Sequence, residues 1–401
     1  MARIAKDKSR NDESSSDFTS DLISSLNKEH GSRIAYNLSE DESPTHVKRW
    51  ISTGSTLLDY TVSNRSNGGL PEGRIIEIFG PPSIGKSHIA TQIARSTQQM
   101  GGICVYIDTE NATSVENLAA LGVDVSKRFV YVDTHCTEEV FDVAEKTIVK
   151  AKAMQKDVPI TIIWDSVAAS SPKAELLGDY DKDSIGLQAR AISKGMRKIT
   201  GVIGDQSVLM VCLNQTRTKI GVLHGDPTTV PGGMAIPFHA SVRIKLGAGQ
   251  QIQNKNGDII GINVSAKTVK NKVAPPFRMA NFQIHFGKGI MEHEEIFDVL
   301  REAGERIIGN KAICVSGTTA WKVFSVTDLD LGKPLIEKKF YKAEFDKIIE
   351  DPEYSDYIED LLEDAMSKKR STEAADVDPE SYEEVRSIAM EVEGSDISPE
   401  D

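Results

Sequence analysis

The chain has 401 residues, of which 39% are hydrophobic and 27% are charged, proportions that exclude a fibrous or wholly disordered protein. At about 150 residues per domain, this length predicts two or three domains. The sequence has no run of about 18 apolar residues and begins with a polar segment, so we expect neither a transmembrane helix nor a secretory signal. The four cysteines form no CxxC pair, which is typical of reduced thiols in a cytoplasmic protein.

Most of the net charge of −13 lies at the C-terminal end. Residues 371–401 contain eleven acids and one arginine, a net charge of −10, which leaves only −3 for the other 370 residues. The segment is poor in apolar residues, so we expect it to be a disordered acidic tail. The nearly neutral remainder is compatible with a basic groove that binds nucleic acid.

Residues 1–50 form the first predicted unit. Residues 1–16 are polar and Ser-rich and are predicted to be disordered, and residues 38–46 have the composition of a linker. Between them, residues 17–29 have the spacing of a short amphipathic helix. Its apolar face comprises Phe18, Leu22, Ile23 and Leu26.

From Ile51 onwards, apolar strand-like runs alternate with helical segments. The strand candidates are Ile75–Phe79, Ile103–Ile107, Phe129–Val132, Ile160–Trp164 and Val208–Leu213, and then Ala240–Leu246, Ile259–Lys270 and Phe282–Phe286. The helix candidates are Ser87–Gln99, Val115–Leu121, Thr137–Ala153 and Ile185–Gly204. This alternation predicts an α/β core over residues 51–290, with a mainly parallel sheet between two layers of helices. Residues 291–370 are predicted to form a small α+β unit.

Residues 75–87, IIEIFGPPSIGKS, contain a complete phosphate-binding loop. Its pattern G-x-x-x-x-G-K-[ST] follows an apolar strand and opens a helical segment, the context that this motif requires. Backbone N–H groups and the helix N-terminus surround phosphate oxygens, the lysine reaches the β- and γ-phosphates, and the hydroxyl ligates Mg²⁺. The predicted nucleotide-binding residues are Gly80, Pro81, Pro82, Ser83, Ile84, Gly85, Lys86, Ser87 and His88.

Acidic residues follow two further apolar strands. Asp165 ends ITIIWD, and at the carboxyl end of a parallel strand it would face bound nucleotide and help Ser87 hold Mg²⁺. Glu110 follows CVYID and could polarise the water that attacks the γ-phosphate. Asp108 is the competing candidate for that role, since both acids lie at the end of the strand.

The motifs together resemble those of the RecA family, the bacterial and phage strand-exchange recombinases, from about Ile51 to Ile290. They are STGSTLLD (52–59), GGLPEGRIIEIFGPPSIGKS (68–87), YIDTEN (106–111), WDSVAASSPKAE (164–175), LNQTRTKIGVLHGDPTTVPGG (213–233), HASVRI (239–244) and VKNKVAPPF (269–277). The resemblance implies a RecA-like P-loop NTPase core with ATP and Mg²⁺ as cofactors. The sequence past Ile290 matches this pattern weakly.

The resemblance also implies roles for individual residues. Glu110 falls at the position of the family's catalytic carboxylate, and Gln215 at that of an amide that senses the γ-phosphate and relays its state to the following DNA loop. Lys270 and Lys272 occupy the KNK signature, whose lysines reach the neighbouring subunit's ATP. Two like charges at this strand spacing share one face, which is unfavourable unless a polyanion lies opposite. Phe238 matches the family's interface aromatic residue.

Two loops and one helix are predicted to contact DNA. Residues 216–233 are rich in Gly and Pro and too long for an ordinary connection, so we expect an irregular functional loop. Its Arg217 and Lys219 would pair with phosphates, and Ile220 would wedge between bases. The acidic loop 176–185 would contact DNA through backbone N–H groups, Lys182 and Tyr180. Arg190 and Arg197 match positions at which the family faces single-stranded DNA. They are seven residues apart on one predicted helix and therefore lie on the same face.

The nucleotide site departs from the family at one position. Asn117 stands where the family commonly stacks an aromatic side chain on adenine, which predicts looser selectivity for the base. Phe286, in HFGKG, is expected to supply the other face of the base site.

The resemblance implies an ATP-dependent recombinase in the cytoplasm of a bacterium or a phage-infected host. It would form a homo-oligomeric helical filament on single-stranded DNA, pair that strand with homologous duplex DNA, and work with single-strand-binding and mediator proteins. Two alternatives remain open: a hexameric DNA helicase with the same core, and a non-catalytic mediator that coats DNA. The KNK pair and the long Gly/Pro-rich loop favour the filament.

Overall fold

The structure is a computed structural model that describes residues 10–38, 45–178, 186–218, 228–317 and 320–373. In these ranges no helix is both long enough and apolar enough to cross a membrane. The helices are α1 (Arg10–His30), α2 (Thr56–Ser63), α3 (Lys86–Gln99), α4 (Val115–Ala120), α5 (Thr137–Met154), α6 (Lys173–Leu176), α7 (Leu187–Asp205), α8 (Ala235–His239), α9 (His293–Ala303), α10 (Phe345–Glu350) and α11 (Ser355–Glu373).

The strands of the first three quarters of the chain are β1 (Trp50–Ile51), β2 (Leu70–Pro71), β3 (Ile75–Gly80), β4 (Ile103–Asp108), β5 (Phe129–Asp133), β6 (Ile160–Asp165), β7 (Leu209–Gln215), β8 (Arg217–Thr218), β9 (Thr228–Thr229), β10 (Val242–Gln253), β11 (Ile259–Asn271), β12 (Met279–His285) and β13 (Gly289–Met291). Those of the last quarter are β14 (Arg306–Ile308), β15 (Lys311–Ser316), β16 (Trp321–Asp328) and β17 (Lys333–Tyr341).

The central sheet has nine described strands in the order β13-β12-β11-β10-β3-β7-β6-β4-β5. Neighbours from β10 to β5 are parallel, whereas β10 to β13 pair antiparallel. The predicted mainly parallel α/β core is therefore confirmed. Parallel neighbours need crossover connections, which here are helices on the two faces of the sheet, and β3 and β6 are accordingly buried along their whole length.

The two faces of the sheet belong to two buried apolar clusters. Ile76 and Ile78 of β3 pack in one cluster with Ile89 and Ile93 of α3. Ile75 packs in the other, with side chains of α5 and α7. This alternation along one strand follows from the two-residue period of a β-strand.

The parallel strands bring four predicted site positions to one edge of the sheet. Gly80 at the end of β3 is the register partner of Gln215 at the end of β7. Asp108 and Asp165, at the ends of β4 and β6, are likewise register partners. The carboxyl ends of parallel strands form the crevice in which such sheets bind ligands.

The N-terminal helix is longer than the sequence indicated. α1 begins at Arg10, so residues 10–16, which were predicted to be disordered, are helical. Their polar composition hides this because polar residues that do not break a helix can extend one from an apolar stretch. Phe18 and Leu22, on the predicted apolar face, are 69% and 48% exposed.

The C-terminal unit consists of the antiparallel sheet β14-β15-β16-β17 with α9, α10 and α11. Its apolar side chains, such as Phe297 and Phe324, belong to the same buried cluster as those of the core. Glu292, just before α9, adds a polar connection, because its carboxylate accepts hydrogen bonds from the Ser55 hydroxyl and from the Thr56 N–H at the start of α2.

Candidate functional site

The phosphate-binding motif forms a loop between β3 and α3. Pro81, Pro82, Ser83 and Ser87 are exposed, whereas Ile84 is buried and anchors the loop to the core. Gly85 has φ +95°, and a Cβ there would lie 2.3 Å from the Cδ1 atom of Ile284. Only glycine therefore fits at this turn, where the first N–H groups of α3 are left free to bind an anion.

The side chain of Lys86 is held by hydrogen bonds to the backbone at the start of the loop. Lys86 Nζ donates hydrogen bonds to the carbonyl oxygens of Gly80, at 3.2 Å, and Pro81, at 2.7 Å. Burial lowers the pKa of Lys86, and the negative charges of Asp165 and Glu110 act in the opposite direction. The ammonium group thus lies among the carboxylates that the sequence indicated.

Asp165 lies beside the loop at the end of β6, nearly buried. Tyr106 donates a hydrogen bond from its hydroxyl to Asp165 Oδ2 at 2.6 Å. Burial raises the pKa of Asp165, although hydrogen bonds from Tyr106 and Ser87 lower it. The contact between Ser87 and Asp165 brings together the two predicted magnesium ligands.

These two oxygen donors fit Mg²⁺. The ion usually keeps several water ligands and binds one or two protein oxygens together with substrate phosphates. The described residues contain no cluster of three His, Cys, Asp or Glu side chains that would form a cage for a metal on its own.

Glu110 lies where the ends of three strands meet. Gln215 Nε2 donates a hydrogen bond to Glu110 Oε1 at 2.8 Å, and the Ser166 hydroxyl donates to the same oxygen. Glu110 is exposed and Gln215 is half-buried, so the pair is open to a ligand. Sequence analysis missed Ser166, although its position directly after Asp165 placed it at the edge of the sheet.

Asp108 has a different place from Glu110. It is 1% exposed and accepts hydrogen bonds from the backbone N–H groups of Glu110, Asn111 and Thr113 at 2.8–3.0 Å. Burial alone would raise the pKa of Asp108, but hydrogen bonds from the side chain of Thr113, from the N–H groups of Glu110 and Thr113 and from the Tyr131 hydroxyl hold it below its ordinary value. Its carboxylate shapes the turn that carries Glu110, which leaves Glu110 as the candidate for activating water.

A cleft of 350 Å³ joins these groups to the predicted base site. Its walls include Ser87, His88, Glu110, Asp165, Asn117 and Phe286. His88 Nε2 is buried without a hydrogen-bond partner in the described ranges, and burial lowers the pKa of this histidine. Phe286 is 57% exposed, so its ring is available for stacking. A larger cavity of 720 Å³, between α2, α3 and α11, contains none of the predicted site residues.

The residues predicted to face a neighbouring subunit lie together where the end of β11 meets α8. Lys270 Nζ donates hydrogen bonds to the carbonyl oxygens of Pro237, at 2.7 Å, and Phe238, at 2.9 Å. Burial and the positive charges of Lys272 and Arg243 lower the pKa of Lys270 to about 8. Lys272 is exposed just past the end of β11, so it is not part of the strand as the spacing had suggested. Phe238 is 74% exposed and is not a core residue.

The predicted DNA-contacting residues are only partly within the described ranges. Arg190 and Arg197 are both exposed on α7, and Arg217 is exposed just after β7. Tyr180, Lys182, Lys219 and Ile220 lie outside the described residues. The loop that was expected to be wholly irregular has an antiparallel pairing at its base, with Arg217 opposite Thr229 and Thr218 opposite Thr228, because a backbone ladder needs no apolar pattern.

A parallel sheet, a phosphate-binding loop and acidic residues at adjacent strand ends define the class of P-loop nucleotide-binding proteins. A family model, the RecA N-terminal domain, matches residues 19–291. The chain is 38% identical to Protein RecA of Sulfurimonas denitrificans over 79% of this chain and 84% of the relative, and 37% identical to that of Bacteroides thetaiotaomicron over 80% and 88%. Protein RecA of Acinetobacter baylyi is 35% identical over 88% and 93%.

The chain therefore belongs to the RecA family and is a recombinase of DNA repair and recombination. The family model begins at residue 19, so the match includes most of α1 and extends beyond the motifs that start near Ile51.

Proposed function

We propose that this protein is a DNA-dependent ATPase that assembles as a helical filament on single-stranded DNA and exchanges that strand with homologous duplex DNA. The observation that carries the proposal is the contact between Gln215 and Glu110 at the mouth of the phosphate-binding loop. It connects the candidate water-activating group to β7, which leads directly into the loop predicted to bind DNA.

Nucleotide binding is assigned to the loop and the cleft. The N–H groups of residues 80–87 and Lys86 would hold the phosphates, while Asn117 and Phe286 would flank the base. Ser87 and Asp165 would hold Mg²⁺, which when bound neutralises phosphate charge. Since Lys86 now bonds to two backbone carbonyls, phosphate would take over these hydrogen bonds.

Hydrolysis is assigned to Glu110. Its carboxylate would accept a proton from the attacking water and so polarise it. Ser166 and Gln215 keep the carboxylate oriented through their hydrogen bonds to Oε1. When a γ-phosphate draws the amide of Gln215 away, Glu110 would keep its bond to Ser166 and gain a free lone pair for water.

Assembly would complete the site. Phe238 is strongly exposed beside Lys270, and α1 exposes Phe18 and Leu22. Apolar side chains exposed in this way are typical of surfaces that a partner covers. A second copy of the chain would cover them, and Lys270 and Lys272 would then reach its nucleotide.

DNA binding is assigned to α7 and the loop after β7. Arg190, Arg197 and Arg217 would neutralise phosphates, so affinity for DNA would fall as the salt concentration rises. Sequence specificity would come from base pairing rather than from contacts to base edges. The protein would act in the cytoplasm of a bacterium or of a phage-infected host.

A strand-exchange assay separates this proposal from its alternatives. Single-stranded circular DNA and homologous linear duplex should form joint molecules only when ATP and Mg²⁺ are present. Electron microscopy of the same mixture should show filaments. Rings together with duplex unwinding would support the helicase, and coated DNA without nucleotide turnover would support the mediator.

A further inference from the structure

A buried carboxylate lies three residues before the first glycine of the phosphate-binding loop and takes no part in the proposed reaction. Glu77 is in β3, and its side chain is 0% exposed. Its strand is flanked by β7 on one side and β10 on the other. Since acidic side chains are almost never fully buried unless they are paired, its partners explain why it is there.

Each oxygen of Glu77 is bound by a different neighbouring strand. Arg243 of β10 donates from Nε to Oε2 at 2.6 Å, and Asn214 of β7 donates from Nδ2 to Oε1 at 3.1 Å. The Arg243 guanidinium also lies 4.7 Å above the ring of Phe79. The carboxylate thus ties three adjacent strands of the sheet together.

The Asn214 side leads to the nucleotide sensor and to the DNA loop. Asn214 is fully buried, and its Oδ1 accepts a hydrogen bond from the N–H of Gln215 at 3.0 Å. Its Nδ2 also donates to the carbonyl oxygen of Pro231 at 3.1 Å. Pro231 lies where the chain returns from the loop, so the side-chain amide of Asn214 holds both the backbone of the sensor Gln215 and the end of the loop.

The Arg243 side leads to the lysines predicted to face the partner. Arg243 is the register partner of Lys270 on β11. The negative charge of Glu77 raises the pKa of Lys270, against the lowering by burial and by Lys272 and Arg243. The ring of His239 lies near these lysines, and its pKa is lowered by burial and then by the positive charges of Arg197, Lys270 and Lys272.

We propose that Glu77 is a positioning residue that couples the nucleotide cleft to the DNA loop through Asn214 and to the partner-facing lysines through Arg243. This inference rests on the proposed function. A buried polar group that loses a partner pays its full desolvation cost, so Gln215 cannot shift its backbone without drawing Asn214 and Pro231 along or breaking their hydrogen bonds. Glu77 holds the amide of Asn214 in the position from which it binds both Gln215 and Pro231.

The test compares nucleotide binding with DNA stimulation in Glu77→Gln. This variant keeps the size of the side chain and removes its charge. ATP affinity without DNA should stay within about twofold of the wild type, whereas the DNA-stimulated kcat should fall by about tenfold or more, the scale for a weakened hydrogen bond to a charged group. The high-pH limb of kcat/KM should also move to lower pH, because Lys270 loses a negative neighbour.

Glu72→Gln is the matched control. Glu72 is equally buried and is paired with Arg49, from Nε to Oε2 at 2.8 Å, but it precedes β3 at the opposite edge of the sheet. This variant should keep both DNA stimulation and the pH profile. If Glu77→Gln does not fold, Asn214→Ala is used, and it should lose DNA stimulation while keeping ATP affinity.

The outcomes separate this inference from the proposed function. Full DNA stimulation in Glu77→Gln, or in Asn214→Ala where that variant is used, overturns the inference alone. An equal loss in Glu72→Gln also overturns it, because any buried ion pair would then have the same effect. A wild-type protein whose ATP turnover ignores DNA overturns the proposed function and the inference with it.

Discussion

At the scale of single residues, the two acids at the end of β4 have separate tasks. Asp108 is buried and its oxygens accept backbone N–H groups, whereas Glu110 is exposed and contacts Gln215 and Ser166. A carboxylate that must take a proton from water needs access to solvent and a lone pair that a backbone amide does not occupy. Only Glu110 meets both conditions.

Glu110→Gln should therefore retain ATP binding and slow hydrolysis by about 10²-fold or more, the scale for losing a general base. Its filaments should persist longer on DNA. Phosphate release and filament lifetime measure the two effects. Glu116→Gln, on the exposed face of α4, is the control and should hydrolyse ATP normally. Wild-type turnover in Glu110→Gln would remove Glu110 from the mechanism.

Lys86→Ala should abolish nucleotide binding or turnover, because it removes the positive charge that holds the phosphates. A fluorescent ATP analogue measures binding directly. Lys127→Ala, on the surface after α4, is the control for loss of a lysine and should bind normally. Unchanged affinity and turnover in Lys86→Ala would show that the loop does not hold the nucleotide.

Asn117→Tyr should lower the KM for ATP by about 2- to 10-fold, since an aromatic contact contributes about 0.5–1.5 kcal/mol. The new ring would lie in the same cleft as Phe286. The wild type should use GTP nearly as well as ATP, and the variant should prefer ATP. Val115→Tyr, on α4 but outside the cleft, should leave KM unchanged. An unaltered KM in Asn117→Tyr would place the base elsewhere.

At the scale of elements, the sequence predicts the buried strands well and the polar ones poorly. β3 and β6 are short, fully buried and mostly apolar, with Glu77 and Thr161 as interior polar residues, so their ends, and with them Gly80 and Asp165, follow from the pattern. β10 was expected to end at Leu246 but continues to Gln253, because its outer part is held by pairing with β11 and not by burial. Ser166 and the Asn214–Glu77 contact depend on how strands are ordered in the sheet, which no local pattern contains.

The contact between Lys270 of β11 and the backbone carbonyls of α8 predicts that stability and DNA-stimulated hydrolysis depend on pH. Lys270 has a pKa of about 8 in the folded chain, against 10.5 for an ordinary lysine. The unfolded chain thus binds more protons between these values, and the contribution of Lys270 to folding stability rises with pH across that window. Its charge is lost as the pH rises through about 8, so kcat/KM for DNA-stimulated hydrolysis should fall there.

A pH profile of Lys270→Ala checks this assignment. The variant should have a low kcat/KM for DNA-stimulated hydrolysis at every pH, and its profile should lack the fall near pH 8. Lys267→Ala, on an exposed position of the same strand, should keep the wild-type profile. A limb that persists in Lys270→Ala would belong to another group.

At the scale of the whole molecule, a catalytic site shared between subunits predicts complementation. Lys270→Ala and Lys272→Ala should each lose DNA-stimulated ATPase while keeping the fold. Mixing either variant with Lys86→Ala should partly restore turnover, because each supplies the half-site that the other lacks. If the single lysine variants are fully active, the assignment of these lysines to a neighbour's nucleotide is wrong.

The C-terminal segment predicts a second effect at this scale. Truncation after Glu373, where α11 ends, removes residues with a net charge of −9. A tethered polyanion competes with DNA for basic surfaces, so duplex affinity should rise, most clearly at low salt. ATP affinity without DNA should not change. A full-length variant with these acids replaced by their amides should behave like the truncation, and equal duplex binding across a salt titration would exclude a role in gating DNA.

The rate of ATP hydrolysis with and without single-stranded DNA tests the central claim most directly. If DNA completes a filament in which Glu110 and the neighbour's lysines meet the same nucleotide, the wild-type protein should hydrolyse ATP slowly alone and much faster on single-stranded DNA. The stimulation should decline as salt weakens DNA binding. A rate that is the same with and without DNA, or no hydrolysis in either case, would contradict the account.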